Sequence, residues 1–239
     1  MSVVLVTGAS GEIGGAIARH FAVPGNSLVL GYNSGGDKAR ELSDSLIGSG
    51  INAMAVEADV SDSLRVESMF DMAEREMGEV DILINSAGLA HFGLLTELSD
   101  ADWHRIINVN LTGVFLCCRR ALKSMVKRKS GCIINISSVW GETGASCEAA
   151  YSAAKAGVIG LTRALAQEEG PSGIRVNCIT PGLIESKMNS RLSADELREF
   201  TSAVALGRAG LPREVAHAAG FLAENSYVSG EVLRVDGGM

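Results

Sequence analysis

Short, mostly apolar runs recur along the chain, and between them apolar residues return every three or four positions. The runs at 3–6, 27–30, 53–56, 80–84, 132–136, 174–179 and 231–235 read as strands buried on both faces. The segments 13–21, 38–48, 61–77, 100–128, 149–168 and 212–222 carry helical periodicity. Ser61 stands where a capping residue belongs at the head of the third of these helices. Segment 100–128 reads as one continuous helix, and 187–210 as a polar, partly helical excursion. Strands alternating with helices predict a doubly wound parallel sheet with helices on both faces. The whole chain, 1–239, is expected to form one such domain.

The junctions carry the chemistry. Thr7-Gly8 closes the first strand, and Gly11 and Gly14 lead into the first helix. Strand, glycine turn and helix together let backbone approach a diphosphate and present it to a helix N-terminus. Gly8, Ser10, Glu12, Ile13 and Gly14 are the expected cofactor contacts here. Glu12 suits the first turn of its own helix, but a carboxylate beside a diphosphate predicts weakened or reshaped binding. The second strand ends in Asn33-Ser34, with no acid before Asp37. An acid there would hold a ribose 2′-hydroxyl. Small polar groups suit a 2′-phosphate better, so NADP(H) is favoured over NAD(H). Lys38 is a possible further phosphate partner, although a solvated helix charge is its plainer reading.

The stretch from Ser137 to Lys155 organises the rest. Tyr151 and Lys155 are spaced i, i+4, which places both on one helix face. A phenol titrates near ~10, and an ammonium nearby is expected to lower that value and ready it for proton transfer. Ser138, just beyond the strand at 132–136, is placed to hydrogen-bond the same substrate oxygen. Gly-x-Ser-x-Gly, the turn that would make Ser138 a hydrolytic nucleophile, is absent.

Ser138, Tyr151-x-x-x-Lys155 and the glycine-rich 7–14 segment together resemble the short-chain dehydrogenase/reductases, and the resemblance runs from Val3 to Met239. It implies a Rossmann-type fold and a catalytic set of Asn110, Ser138, Tyr151 and Lys155. Tyr151 and Lys155 also meet the cofactor in that family. The resemblance further implies that Asp59 and Val60 sit beside the adenine. Asn85, Ala87 and Gly88 would lie along the cofactor, although Ser86 replaces the family's second Asn. Pro181, Gly182, Ile184 and Ser186 would fold against the nicotinamide, with Ser186 in a usual Thr position. The family pattern has a glycine where this chain has Glu12. Segment 187–210 would be a substrate lid, and the assembly a homotetramer.

Composition narrows the field. Net charge is −7, which gives no basic footprint for nucleic acid. Apolar residues make up 46%, enough for a large core, but no run approaches the ~20 residues that span a membrane. The start of the chain has no basic leader, and the five cysteines show no paired spacing, so a cytoplasmic protein with reduced thiols is expected. The four histidines lack metal-ligand spacing, and no metal is expected. The expected partner is a small-molecule or carrier-bound ketone, with no nucleic acid and no membrane.

Three readings of function stay open. The first is NADPH-dependent reduction of a 3-oxoacyl group on an acyl carrier protein, in fatty acid synthesis. Its docking patch would be Lys127, Arg128 and Lys129. The second is reduction of the 5-aminopentanone modification of elongation factor P. Trp140, Glu142 and Glu148 would form an acidic, aromatic lip for an ammonium there, with Ser138 and Tyr151 on the ketone. The third is a non-catalytic NADP(H) sensor, supported only by Glu12.

Overall fold

The structure is a computed structural model and describes residues 2–187 and 194–239. Seven strands form one sheet: β1 Val3–Thr7, β2 Ser27–Tyr32, β3 Asn52–Glu57, β4 Ile82–Asn85, β5 Gly131–Ile136, β6 Ile174–Pro181 and β7 Val232–Val235. Their order is β3-β2-β1-β4-β5-β6-β7, and every pairing is parallel. The doubly wound parallel sheet expected from the pattern is therefore the fold. Successive side chains alternate between its faces. Val3 and Leu5 enter one core, and Val4 and Val6 the other.

The helices are α1 Glu12–Phe21, α2 Gly36–Gly48, α3 Ser63–Met77, α4 Asp100–Ile107, α5 Gly113–Arg128, α6 Trp140–Thr143, α7 Ala149–Glu169, α8 Ala194–Ser202 and α9 Pro212–Glu224. α3, α5 and α7 cover the face carrying Leu5, and α1, α2 and α9 the other. The chain winds outward through β2 and β3, then returns to lay β4 on the opposite side of β1. Between the carboxyl ends of β1 and β4 the connections part, and a crevice opens there. Thr7 spans that point: its Oγ1 accepts from the amides of Ser86 and Ala87 at 3.1 and 3.2 Å.

Two local expectations need correction. Ser61 does not cap α3. Asp62 does, accepting from the amides of Leu64 (2.8 Å) and Arg65 (3.3 Å). Ser61 donates its hydroxyl to Asp59 Oδ1 at 2.7 Å instead. Nor is 100–128 one helix. Between α4 and α5 the backbone widens into a π-turn, Asn108–Thr112, in which the Gly113 amide reaches back five residues to the Asn108 carbonyl. A helical period cannot reveal one extra residue in one turn, because the apolar stripe resumes on nearly the same side. The expected lid, 187–210, contains α8, and its residues 188–193 lie outside the described residues.

Candidate active site

The crevice has a volume of about 520 Å³ and runs from the glycine turn after β1 to the head of α7. At one end its wall is backbone. Gly8 has φ +69°, and a Cβ on Gly14 would lie 2.3 Å from the Gly8 carbonyl oxygen. The turn therefore closes only with hydrogen at both positions. It brings the N-terminus of α1 to the cavity wall, together with Ser10, Glu12 and Ile13. Asn33 and Ser34 border the same cavity, and Ser10 Oγ ties the two loops by donating to the Ser34 carbonyl at 2.8 Å. Asp59, Val60, Ala87, Gly88, Pro181, Gly182, Ile184 and Ser186 also line it.

At the other end the wall is side chains on long elements. Ser138 and Tyr151 are both buried and line the same crevice. Ser138 Oγ accepts from the Trp140 amide at 3.2 Å, which leaves its own proton free to donate. Lys155 Nζ donates to the Ile136 carbonyl at 2.8 Å and stands 5.7 Å from the Tyr151 ring centre. Burial pushes the Tyr151 phenol up to about 12; the nearby Ser138 hydroxyl pulls against this and the Glu148 charge adds to it. The expected lowering of the phenol by Lys155 is therefore not what this geometry produces. Lys155 itself is pushed down to about 8 by burial, opposed by the neighbouring Cys178. A phenol so placed keeps its proton at neutral pH and is set up to give it rather than take one.

Asn110 sits in the π-turn, fully buried. Its side chain grips one residue twice, with Oδ1 accepting from the Leu89 amide and Nδ2 donating to the Leu89 carbonyl, both at 2.8 Å. Gly88 must lack a side chain, since a Cβ there would lie 2.8 Å from Asn110 Oδ1 and 3.5 Å from Lys155 Nζ. The widened turn thus locks the segment after β4 against the tyrosine–lysine helix.

The chain is similar to known proteins over nearly its whole length. The family model described as Enoyl-(Acyl carrier protein) reductase matches residues 8–239. The chain belongs to the short-chain dehydrogenase/reductase family. The 3-oxoacyl-[acyl-carrier-protein] reductase FabG of Chlamydia muridarum is 42% identical over 240 residues, covering 98% of this chain and 96% of the relative. FabG of Escherichia coli is 41% identical over 239 residues, covering 99% and 96%. A solved structure from Agrobacterium tumefaciens, a candidate gluconate dehydrogenase, superposes with a TM-score of 0.95 at 34% identity, covering 100% of this chain and 95% of that one.

Like other short-chain dehydrogenase/reductases, the chain is an oxidoreductase built to hold a nicotinamide cofactor. The backbone cradle at Gly8 and Gly14 and the open N-terminus of α1 fit a diphosphate. Asn85 is the exception among the expected cofactor contacts. Its side chain turns inward, donating to Asn135 Oδ1 at 2.8 Å, and does not border the crevice. Glu142 is held by Arg234 at 2.7 Å. Neither it, Trp140 nor Glu148 lines the crevice, although the Glu148 charge acts on Tyr151. Within the expected docking patch, Arg128 is paired with Glu79 at 2.6 Å and hydrogen-bonded to the Val80 carbonyl.

Sequence reasoning missed Ser137, Leu89, Arg105 and Asn108. Ser137 Oγ braces α7 by donating to the Lys155 carbonyl at 2.8 Å. Arg105 and Asn108 line the crevice from α4 and the π-turn. Their i, i+3 spacing is visible in the sequence, but nothing in the pattern says which helix face meets the crevice. Of the five cysteines, Cys117, Cys118, Cys132 and Cys178 are buried and all five thiols are free. No helix among the described residues is long and apolar enough to cross a membrane.

Proposed function

We propose that this protein reduces a 3-oxoacyl thioester carried by an acyl carrier protein to the 3-hydroxy form, using NADPH, as a step of fatty acid synthesis. The carrying observation is that two buried hydroxyl side chains, Ser138 and Tyr151, line one crevice together with the buried Lys155. Two convergent O–H donors suit a carbonyl oxygen that is gaining alkoxide charge. The names of the FabG relatives support the same substrate, and Asn33 and Ser34 at the end of β2 support the 2′-phosphorylated cofactor.

A bound nicotinamide would supply hydride to the carbonyl carbon. The residues do the rest. Ser138 holds the carbonyl oxygen, and Tyr151 gives that oxygen its phenolic proton. Lys155 steadies the resulting phenolate and holds the cofactor ribose, and Asn110 fixes the wall that both helices share. Lys127 and Lys129 remain for docking an acidic carrier, while Arg128 is engaged within the fold. A homotetramer in the cytoplasm completes the reading. Phe115, Phe221 and Tyr227, all large and exposed, give it apolar surface for assembly.

The test is consumption of reduced cofactor with an acetoacetyl thioester, carrier-bound or as a small surrogate, against an enoyl thioester and an amino-ketone as controls. Turnover of the oxoacyl thioester alone supports the reading. Turnover of the enoyl thioester alone would place the chemistry at a carbon–carbon double bond and overturn it. Turnover of the amino-ketone alone would return the elongation-factor reading.

A further inference from the structure

Glu12 is the first residue of α1 and lines the crevice where a diphosphate would meet the helix N-terminus. It is not a bare carboxylate. Lys38 Nζ lies 3.8 Å from Glu12 Oε1, with side chains 49% and 33% exposed respectively. Lys38 is the third residue of α2, which starts directly after Asn33, Ser34 and the left-handed Gly35. Lys38 does not itself line the crevice, but it reaches Glu12, which does, from the helix that follows the loop suited to a 2′-phosphate. The other cation at the head of α2 is committed: Arg40 donates to the Tyr32 hydroxyl at 2.9 Å and to Asp37 at 2.7 Å. Lys38 is held by the long pair with Glu12, and a half-exposed pair of that length is weak.

We infer that Glu12 and Lys38 together set the enzyme's discrimination between NADPH and NADH, with Glu12 competing for Lys38 against the cofactor's 2′-phosphate. The inference rests on the nicotinamide reading of the crevice. A phosphate at Asn33–Ser34 carries nearly two charges and draws the ammonium from a single screened carboxylate. Part of the attraction is offset by releasing Glu12, so the native pair holds discrimination below what Lys38 alone would give. NADH has no such phosphate and leaves the pair in place.

The experiment is fluorescence titration of NADPH and NADH into four proteins: the unmodified chain, Glu12→Gln, Lys38→Met and the double variant. The readout is the ratio of the two dissociation constants. Glu12→Gln is expected to raise discrimination for NADPH about threefold; Lys38→Met lowers it about threefold in the unmodified chain and about tenfold when Glu12→Gln is already present. Lys38→Arg, which keeps the charge, retains the preference. A smaller loss from Lys38→Met on top of Glu12→Gln would make Lys38 a mere neutraliser of Glu12. Equal losses would make the two residues independent. Either result overturns the inference while leaving the cofactor reading standing. If the unmodified chain binds neither cofactor, the reading and the inference fall together.

Discussion

The two ends of the crevice are built on opposite principles. The glycine-turn end is made of close backbone: Gly8 and Gly14 admit no Cβ, and the polar side chains there, Ser10, Glu12, Asn33 and Ser34, stand on loops and a helix start. Its charged pair, Glu12 and Lys38, is long and half exposed. The catalytic end is made of side chains buried on long elements, each held by a second contact. Ser138 is fixed by the Trp140 amide, Lys155 by the Ile136 carbonyl and Asn110 by Leu89. The contrast teaches where each kind of error is tolerated. Shape is unforgiving at the first end and charge is adjustable; at the second, chemistry is unforgiving, because burial magnifies every proton.

The sharpest way to break that comparison is Tyr151→Phe. Reduction should fall by about 10²–10⁴-fold while NADPH affinity stays within about twofold, because the hydroxyl transfers the proton and the diphosphate cradle lies elsewhere. Single-turnover rates and cofactor titration measure the two separately. A variant that keeps a tenth of the rate would remove Tyr151 as the acid.

Gly14→Ala is the matching lesion at the other end. Its Cβ meets the Gly8 carbonyl oxygen head-on, so the turn must shift, at a cost of about 1–3 kcal/mol in stability. Cofactor affinity should drop about tenfold or more, with the rate at saturating cofactor much less affected. Full affinity in this variant would show that the turn does not hold the cofactor.

The pH profile sharpens the contrast further. Burial lowers Lys155 to about 8, so its ammonium is lost earlier than in a solvated lysine as pH rises. Tyr151, raised to about 12, still holds its proton there. The reduction rate should be level below about pH 8 and then fall by about tenfold per unit, while cofactor binding at the glycine turn changes less. A rate that holds level up to about pH 10 would leave no place for the lysine charge in the chemistry. The smallest effect concerns a surface outside both ends. Reversing Lys127 and Lys129 to Glu should raise KM for a carrier-bound substrate about threefold and leave a small thioester surrogate unchanged, as expected for rim charges. Steady-state kinetics on both substrates separates docking from catalysis.

Much of this molecule was legible along the chain because its periods are local. Strand runs, helix stripes, the glycine turn and the i, i+4 spacing of Tyr151 and Lys155 depend on residues a few positions apart. Their order alone predicts the doubly wound sheet. What stayed hidden required knowing which distant residues meet. Asn110 could be matched to a family asparagine, but the π-turn that carries it, and its two hydrogen bonds to Leu89, arise from α4 and α5 closing on the segment after β4. Glu142 looked free to greet a cationic substrate until β7 brought Arg234 to it from 92 positions away. Glu12 looked like a bare charge until α2 laid Lys38 beside it. The phenol was expected low because a lysine follows it by one turn, yet burial, which no spacing encodes, raised it instead. Sequence determines what each segment can do within its own turn or strand. Charge pairing and desolvation are sums over neighbours drawn from the whole chain, and only the folded packing decides those.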